Sequence, residues 1–152
     1  MRVLMRASTA GFSRFAIGVN YWASNAGMRM WSRFDVAEIE ADFAALRDSG
    51  INTLRIFPLW SDFQPLSWAR RNAGDVRELV FPDGQPLPEK GLRHYGLEPV
   101  MMERFRTVCD LARKYDLQVI ASLLTGWMSG SLFMPPAIFE RNVGKDFFAL
   151  RL

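Results

Sequence analysis

Three short apolar runs alternate with two segments in which apolar residues recur at helical spacing. The runs occupy residues 15–20, 52–57 and 117–124, and the two periodic segments begin at Asp35 and near Glu98. Continuous apolar runs are typical of strands buried on both faces, whereas apolar residues three or four positions apart are typical of an amphipathic helix. The pattern therefore predicts the order β-α-β-α-β, with parallel strands joined by right-handed helical crossovers.

Residues that favour helix ends flank both periodic segments. Asp35 can accept hydrogen bonds from the first free N–H groups of one helix, and Glu38 lies three positions later, as in a capping box. Gly50 supplies a stop for that helix. Pro99 suits the first turn of the second helix, and Lys114 favours its carboxyl end electrostatically. These residues define where both helices are expected to begin and end.

The connections between these elements are unequal in length. The predicted turns from helix to strand are short, at residues 48–50 and 115–116, whereas the loops from strand to helix span about 21–34 and 58–97. All five tryptophans follow strands, at Trp22, Trp31, Trp60, Trp68 and Trp127. The carboxyl ends of parallel strands share one edge, where α/β proteins bind ligands. The tryptophans therefore either line a ligand cleft or close the loops over the sheet.

The length and composition describe one globular domain. The chain has 152 residues, 49% of them hydrophobic, and we expect an N-terminal extension over 1–14 and a single domain over 15–152. The net charge of +3 comes with arginines scattered along the chain, which argues against nucleic acid as a partner because phosphate binding needs clustered basic residues. No apolar run is long enough to cross a bilayer, and residues 1–16 lack the apolar segment of a signal peptide. A cytoplasmic location, or a fragment without its export signal, is the default expectation.

Little in the sequence favours a cofactor or a metal. Cys109 and His94 are each the only residue of their type, which excludes a disulfide within the chain and disfavours a zinc site. Cys109 falls among apolar residues of a predicted helix, where an inert buried thiol is expected rather than a nucleophile. No dinucleotide fingerprint, phosphate loop or Gly-x-Ser-x-Gly elbow is present. We therefore predict neither a cofactor nor a metal.

The loops after the predicted strands carry residues that suit a carbohydrate. One face of a pyranose ring is apolar and packs on an indole, while the hydroxyl groups of the ring need convergent donors and acceptors. Asn20, Arg55 and Asp62 offer such groups at or shortly after strand ends. A carbohydrate is therefore the favoured ligand.

Three stretches of the sequence resemble one family of enzymes. They are IGVNYWASN at 17–25, GINTLRIF at 50–57 with Trp60 and DFQP at 62–65, and LQVI at 117–120 with LTGW at 124–127. In this order they resemble the first three β/α units of family 5-like glycoside hydrolases of clan A, the cellulase and β-mannanase type. The resemblance implies an α/β fold, a partial (β/α)8 TIM barrel with long carboxyl-end loops. It also implies retaining hydrolysis of a β-linked polysaccharide or oligosaccharide.

The resemblance further implies roles for individual residues. Arg55 matches the arginine that orients the nucleophilic glutamate at the end of the second strand. The family builds its sugar-binding cleft from positions that correspond here to Asn20, Tyr21, Trp22, Trp60 and Trp127. Asp62, in the second loop, is a further candidate for substrate binding. Where many relatives have a histidine near the end of the third strand, this chain has Thr125. That difference leaves a mannanase-like or an uncharacterised branch open.

The two catalytic glutamates of such enzymes have no counterpart in the sequence. They follow the fourth and seventh strands and stand about 5–5.5 Å apart in a retaining enzyme, whereas this chain has no Asn-Glu pair and its glutamates fall on predicted helices or in loops. A complete barrel needs about 250 residues. We therefore expect a truncated N-terminal portion, inactive by itself. A third helix is expected after the third strand, and the residues that lead into it are Pro135, Pro136, Phe139, Asp146, Phe147 and Phe148.

Two other functions stay open at this point. The missing glutamates favour a non-catalytic carbohydrate-binding remnant or interaction module. A different barrel enzyme, such as an isomerase or aldolase, has neither a strand-end lysine nor a phosphate-binding glycine loop to support it. In each case an unclosed parallel sheet would leave a bare strand edge, so self-association of the chain is expected.

Overall fold

A computed structural model describes residues 15–70 and 77–142 of the chain. Its elements in chain order are β1 (Gly18–Asn20), α1 (Val36–Asp48), β2 (Thr53–Ile56), α2 (Trp60–Phe63), β3 (Ser67–Arg70), β4 (Arg77–Val80), a 3₁₀ turn (Leu92–Tyr95), α3 (Pro99–Lys114), β5 (Gln118–Ala121), β6 (Trp127–Met128), β7 (Ser131–Leu132) and α4 (Pro136–Asn142). The predicted extension over 1–14 lies outside the described residues, and so do residues 146–148 of the stretch predicted to lead into a third helix.

The central sheet contains three parallel strands in the order β1-β2-β5. Helices α1 and α3 make the two crossovers, which confirms the predicted β-α-β-α-β order. In the register of the strands, Asn20 lies opposite Arg55, and Arg55 lies opposite Ile120. These three residues therefore form one row across the sheet.

Local sequence explains both ends of α1. The side chain of Asp35 accepts hydrogen bonds from the N–H groups of Ala37 and Glu38 at 2.9 and 3.2 Å. Glu38 does not complete a capping box, because its carboxylate accepts from the N–H of Asn25 in the preceding loop. Gly50 follows the helix with φ of +84°, a conformation that glycine adopts without a steric penalty.

One face of the sheet packs on the two long helices. Leu54 and Ile56 of β2 are fully buried against Phe43 of α1 and Val108 of α3. Because side chains alternate along a strand, Arg55 projects to the opposite face. That opposite face carries the exposed residues Asn20, Arg55, Gln118 and Ile120, and we call it the open face.

An α/β arrangement with its helices on one face of an unclosed parallel sheet fits a partial barrel. In a closed (β/α)8 barrel the helices form an outer ring and the other face of the sheet lines the interior. The open face corresponds to that interior. Along the described chain, no helix combines the length and apolar character that crossing a membrane requires.

The long loop after β2 contains structure that the sequence pattern does not predict. β3 and β4 form an antiparallel hairpin, and the indole Nε1–H of Trp68 in β3 donates to the carbonyl of Ala137 in α4 at 3.0 Å. The N–H of Ala137 in turn donates to the carbonyl of Leu66 at 2.8 Å. The hairpin is therefore attached to α4, far away in sequence.

The third strand of the sheet is shorter than predicted. β5 ends at Ala121 rather than at residue 124. Leu124 has φ of +52°, which is incompatible with an extended strand. The apolar run LQVIASLL thus contains a strand followed by a turn, and Leu123 and Leu124 are exposed in that turn.

Candidate functional site

The loops that follow β2 and β5 are hydrogen-bonded to each other at the carboxyl edge of the sheet. The N–H of Thr125 donates to the carbonyl of Pro58 at 3.0 Å, and the N–H of Trp60 donates to the carbonyl of Thr125 at 3.1 Å. Further along, the N–H of Ser61 donates to the carbonyl of Phe133 at 2.8 Å. We call these bonded segments, 58–61 and 125–133, the loop pair. They form a continuous rim beside the open face.

Arg55 lies on the open face below this rim. Its Nε–H donates to the hydroxyl oxygen of Ser122 at 2.7 Å. The guanidinium carbon lies 5.0 Å from the centre of the Phe57 ring, a cation–π distance. Among the residues that the structure describes, no carboxylate lies within ion-pair distance of Arg55. The cation is therefore held by a hydroxyl group and an aromatic ring rather than by an acid.

Two of the predicted sugar-binding residues lie close to Arg55. Asn20 is exposed and directly opposite Arg55 in the sheet register. Trp22 stacks on the same Phe57 ring, with 5.0 Å between ring centres and 16° between ring planes. The structure thus places Trp22 and Arg55 against the Phe57 ring, with Asn20 next to Arg55 in the sheet.

Trp60 and Trp127 lie on the loop pair. The indole Nε1–H of Trp60 donates to the side-chain oxygen of Gln64 at 2.8 Å. A Cβ placed on Gly126 would lie 3.6 Å from Cε3 of Trp60, so Trp60 packs beside the residue that precedes Trp127. Trp127 is 62% exposed and leaves indole surface available to a sugar ring.

Tyr21 does not lie where the sequence predicts it, in the cleft. Its side chain points away from the open face and is buried, with its ring 4.9 Å from the Phe43 ring and at 70° to it. The phenol O–H donates to the carboxylate of Asp42 on α1 at 2.9 Å. Burial and this hydrogen bond raise the pKa of Tyr21 above its usual range. Tyr21 therefore joins β1 to α1 instead of facing a ligand.

Asp62 also lies apart from Arg55. It is half-buried on α2, and the nearby cation is Arg104 of α3. Burial raises the pKa of Asp62, while the charge of Arg104 and a hydrogen bond with Ser61 act in the opposite direction. Asp62, which the sequence predicts to contact a sugar, therefore lies near Arg104 rather than beside Asn20 and Arg55.

Replacing Asp62 with asparagine should stabilise the protein at neutral pH and have little effect in acid. Because the pKa of Asp62 is raised on folding from its usual 3.8, the folded protein favours the protonated carboxyl. The contribution of the protonated Asp62 to the free energy of unfolding is fully present below pH 3.8 and is lost as pH rises through the pKa of the folded protein. Asparagine carries no charge at any of these pH values, so the variant does not lose stability in this way.

The test is urea unfolding of the wild type and of Asp62→Asn at pH values from below 3.8 to neutral. The low-pH comparison is the control, since Asp62 is then uncharged in both the folded and unfolded chain. A variant that is less stable than wild type at neutral pH would show that attraction to Arg104 outweighs burial.

The remaining tryptophans serve packing. Trp31 is fully buried, and its indole Nε1–H donates to the carbonyl of Phe57 at 2.7 Å. Trp68 attaches the β3–β4 hairpin, as described above. Cys109 is half-buried, and burial raises the pKa of its thiol, as expected for an inert cysteine.

Ser122 is a site residue that the sequence patterns do not single out. A usable signal exists, because Ser122 lies two positions after Ile120 and is the first hydroxyl-bearing residue after an apolar strand. Alternation along the strand then places it on the same side as Ile120 and Arg55.

The described rim offers a cation, an amide, a hydroxyl group and indole rings, but no pair of catalytic carboxylates. No glutamate of the sequence follows a strand of the central sheet; they are Glu38, Glu40, Glu78, Glu89, Glu98, Glu103 and Glu140. In the described ranges, no group of three or more metal-ligating side chains occurs. The arrangement can bind and orient a sugar or a carboxylate.

These features define a class: a partial α/β barrel with an aromatic and polar rim at the carboxyl ends of its strands. No protein-family model and no curated protein matches the sequence. Solved structures do match. The chain resembles the N-terminal portion of family 5-like glycoside hydrolases.

Three of these structures illustrate the similarity. An exo-β-1,4-mannosidase from Opitutaceae bacterium strain TAV5 is 28% identical with a TM-score of 0.58, covering 80% of this chain and 17% of its own. A variant of a GH5_18 protein from Streptomyces cattleya, in complex with Manβ1-4GlcNAc, is 26% identical with a TM-score of 0.58. The match covers 80% of this chain and 23% of that protein. A GH5_18 protein from Bifidobacterium longum subsp. longum, 20% identical with a TM-score of 0.58 and covering 81% and 23%, shares the fold. This chain spans about a fifth of the length of the solved structures that it matches.

Proposed function

We propose that the chain forms the first three β/α units of a retaining glycoside hydrolase that acts on β-linked mannosides. The observation that carries the proposal is the position of Arg55. It lies at the carboxyl edge of a parallel sheet, beside Asn20 and Trp22 and without a carboxylate partner in the described residues. The similarity to an exo-β-1,4-mannosidase and to a protein that binds Manβ1-4GlcNAc supports mannose as the sugar.

In this proposal the chain supplies binding and orientation. Arg55 donates hydrogen bonds to a nucleophilic glutamate and favours its ionised form, since an adjacent cation stabilises a carboxylate. Trp127 and Trp22 offer indole surfaces to the sugar rings, and Asn20 offers an amide to a hydroxyl group. The acid/base and nucleophilic glutamates come from polypeptide outside these residues, so the chain alone is inactive.

A chimera tests the proposal. Residues 15–142 replace the matching N-terminal part of the Streptomyces cattleya GH5_18 protein, and hydrolysis of an aryl β-mannoside is measured. We expect turnover with retention of anomeric configuration. Arg55→Ala in the chimera should lower kcat by roughly 10²–10³-fold, as loss of one preorganised charge-stabilising donor does elsewhere.

Arg106→Ala is the matched control, because Arg106 is an exposed arginine on α3. It should leave kcat unchanged. An active chimera in which Arg55→Ala turns over as fast as its parent would remove Arg55 from the catalytic site. Turnover by the unfused chain well above blank would contradict the proposed origin of the glutamate pair.

A carbohydrate-binding module without chemistry is the second candidate. The placement of all glutamates away from the ends of the sheet strands favours it. A well-folded but inactive chimera, together with binding of Manβ1-4GlcNAc by the unfused chain, would select this candidate over the first.

A further inference from the structure

Ser122 is fixed in place by its own backbone. It follows β5 directly, and its N–H donates to the carbonyl of Ile56 in β2 at 2.9 Å. Its carbonyl accepts a hydrogen bond from the hydroxyl group of Thr125 at 2.8 Å. With both backbone groups bonded, the Ser122 side chain has a defined position above the end of β2.

From that position Ser122 contacts a specific atom of Arg55. The Ser122 hydroxyl oxygen accepts from Nε at 2.7 Å, a distance typical of a charge-assisted hydrogen bond. The guanidinium carbon lies 5.0 Å from the centre of the Phe57 ring, and Phe57 itself is buried. A rigid ring and a fixed hydroxyl group together set the plane of the guanidinium group and its rotation within that plane.

Of the Arg55 side-chain nitrogens, only Nε has a hydrogen-bond partner among the described residues, so the terminal nitrogens are available to another group. Nη1 and Nη2 present a parallel pair of N–H donors that matches the two oxygens of a carboxylate. With Nε engaged by Ser122, the side edge of the guanidinium group is occupied, whereas no group in the described part of the chain occupies the end edge between Nη1 and Nη2. An end-on carboxylate is therefore the partner that this arrangement accepts.

We infer that Ser122 is a positioning residue that turns Arg55 so that its terminal nitrogens receive a carboxylate end-on. The identity of that carboxylate, a catalytic glutamate, rests on the proposed function. The positioning itself rests only on the contacts between Ser122, Arg55 and Phe57. Because Arg55 is exposed, water can replace the lost hydroxyl group, so removing that group should change the orientation of Arg55 more than the stability of the chain.

The test measures the rate at which phenylglyoxal modifies each arginine of the full chain, followed by peptide mass spectrometry. Ser122→Ala should raise the rate at Arg55 by about tenfold, because a charge-assisted hydrogen bond no longer restrains the group. Ser122→Thr keeps the hydroxyl group and should restore the slow rate. Ser32→Ala is the matched control, since the Ser32 hydroxyl group donates to the carbonyl of Arg29 and contacts no guanidinium group within the described residues.

The other arginines separate positioning from a general loss of structure. Unchanged rates at Arg104 and Arg106, with acceleration at Arg55, support the inference. Equal acceleration at all three, or no acceleration at Arg55, would overturn it.

A second arm adds acetate as the probe, with chloride at equal ionic strength as its control. Acetate should slow modification of Arg55 in the wild type and less so in Ser122→Ala. Ser122→Ala could speed the modification of Arg55 while acetate protects neither protein. That result would support the positioning by Ser122 but refute a carboxylate partner. It would also remove this support for the proposed function.

Discussion

Replacing Trp31 with alanine should lower the free energy of unfolding by about 3–5 kcal/mol. Trp31 is fully buried, and its ring packs edge-on against Phe63 at 5.1 Å between centres. The substitution removes this packing and also the indole donor to the carbonyl of Phe57. Because domains are stable by only about 5–15 kcal/mol in total, the variant should unfold at a much lower urea concentration, as followed by circular dichroism.

Trp127→Ala is the control for this change in side-chain volume. Trp127 is mostly exposed, so its removal should cost only a small fraction of that energy. Trp31→Phe adds a finer comparison, since it keeps an aromatic ring but leaves the Phe57 carbonyl without its donor, at a cost of about 1–3 kcal/mol. Equal unfolding midpoints for Trp31→Ala and Trp127→Ala would refute the packing role of Trp31.

We expect the isolated chain to self-associate through β5. In the described sheet, β5 pairs with β2 on one side only. Ile120 is 55% exposed on this strand, and Leu123 is 70% exposed just beyond it. An exposed apolar edge with free backbone hydrogen-bonding groups is a template for pairing with another chain. Sedimentation velocity over a range of concentrations should show species larger than one chain.

Ile120→Lys should shift the population to the monomer, because a lysine on an edge strand opposes pairing. Val100→Lys is the matched control: Val100 is 51% exposed but lies on α3, so association should persist. A wild-type chain that sediments as a monomer at every concentration would show that the edge is protected.

The sequence is sufficient to predict the elements whose signals are local. Asp35 and Gly50 bound α1, and Pro99 begins α3, because caps and stops act within a few residues. The β3–β4 hairpin is missed because Trp68 and Ala137, which attach it to α4, are far apart in sequence. The early end of β5 is missed because the turn at Leu124 is set by pairing with the loop after β2.

The candidate site is predicted only in part, since composition does not indicate which face a side chain occupies. Arg55 could be placed on the open face, because its neighbours Leu54 and Ile56 are apolar and side chains alternate. Tyr21 and Trp31 follow a strand just as Trp22 does, yet they turn towards the helices. Asp42 of α1 decides the direction of Tyr21, and no spacing rule joins those two positions.

The loop pair also has a consequence for how such a chain can diversify. Trp60 and Ser61 bond to Thr125 and Phe133, so the two loops share hydrogen bonds that depend on the length of each. An insertion or deletion within 58–61 would misalign the partner segment, whereas the segment between β4 and the 3₁₀ turn lies outside this pairing. New loop sequences should therefore be acquired between β4 and α3, or in both members of the loop pair at once.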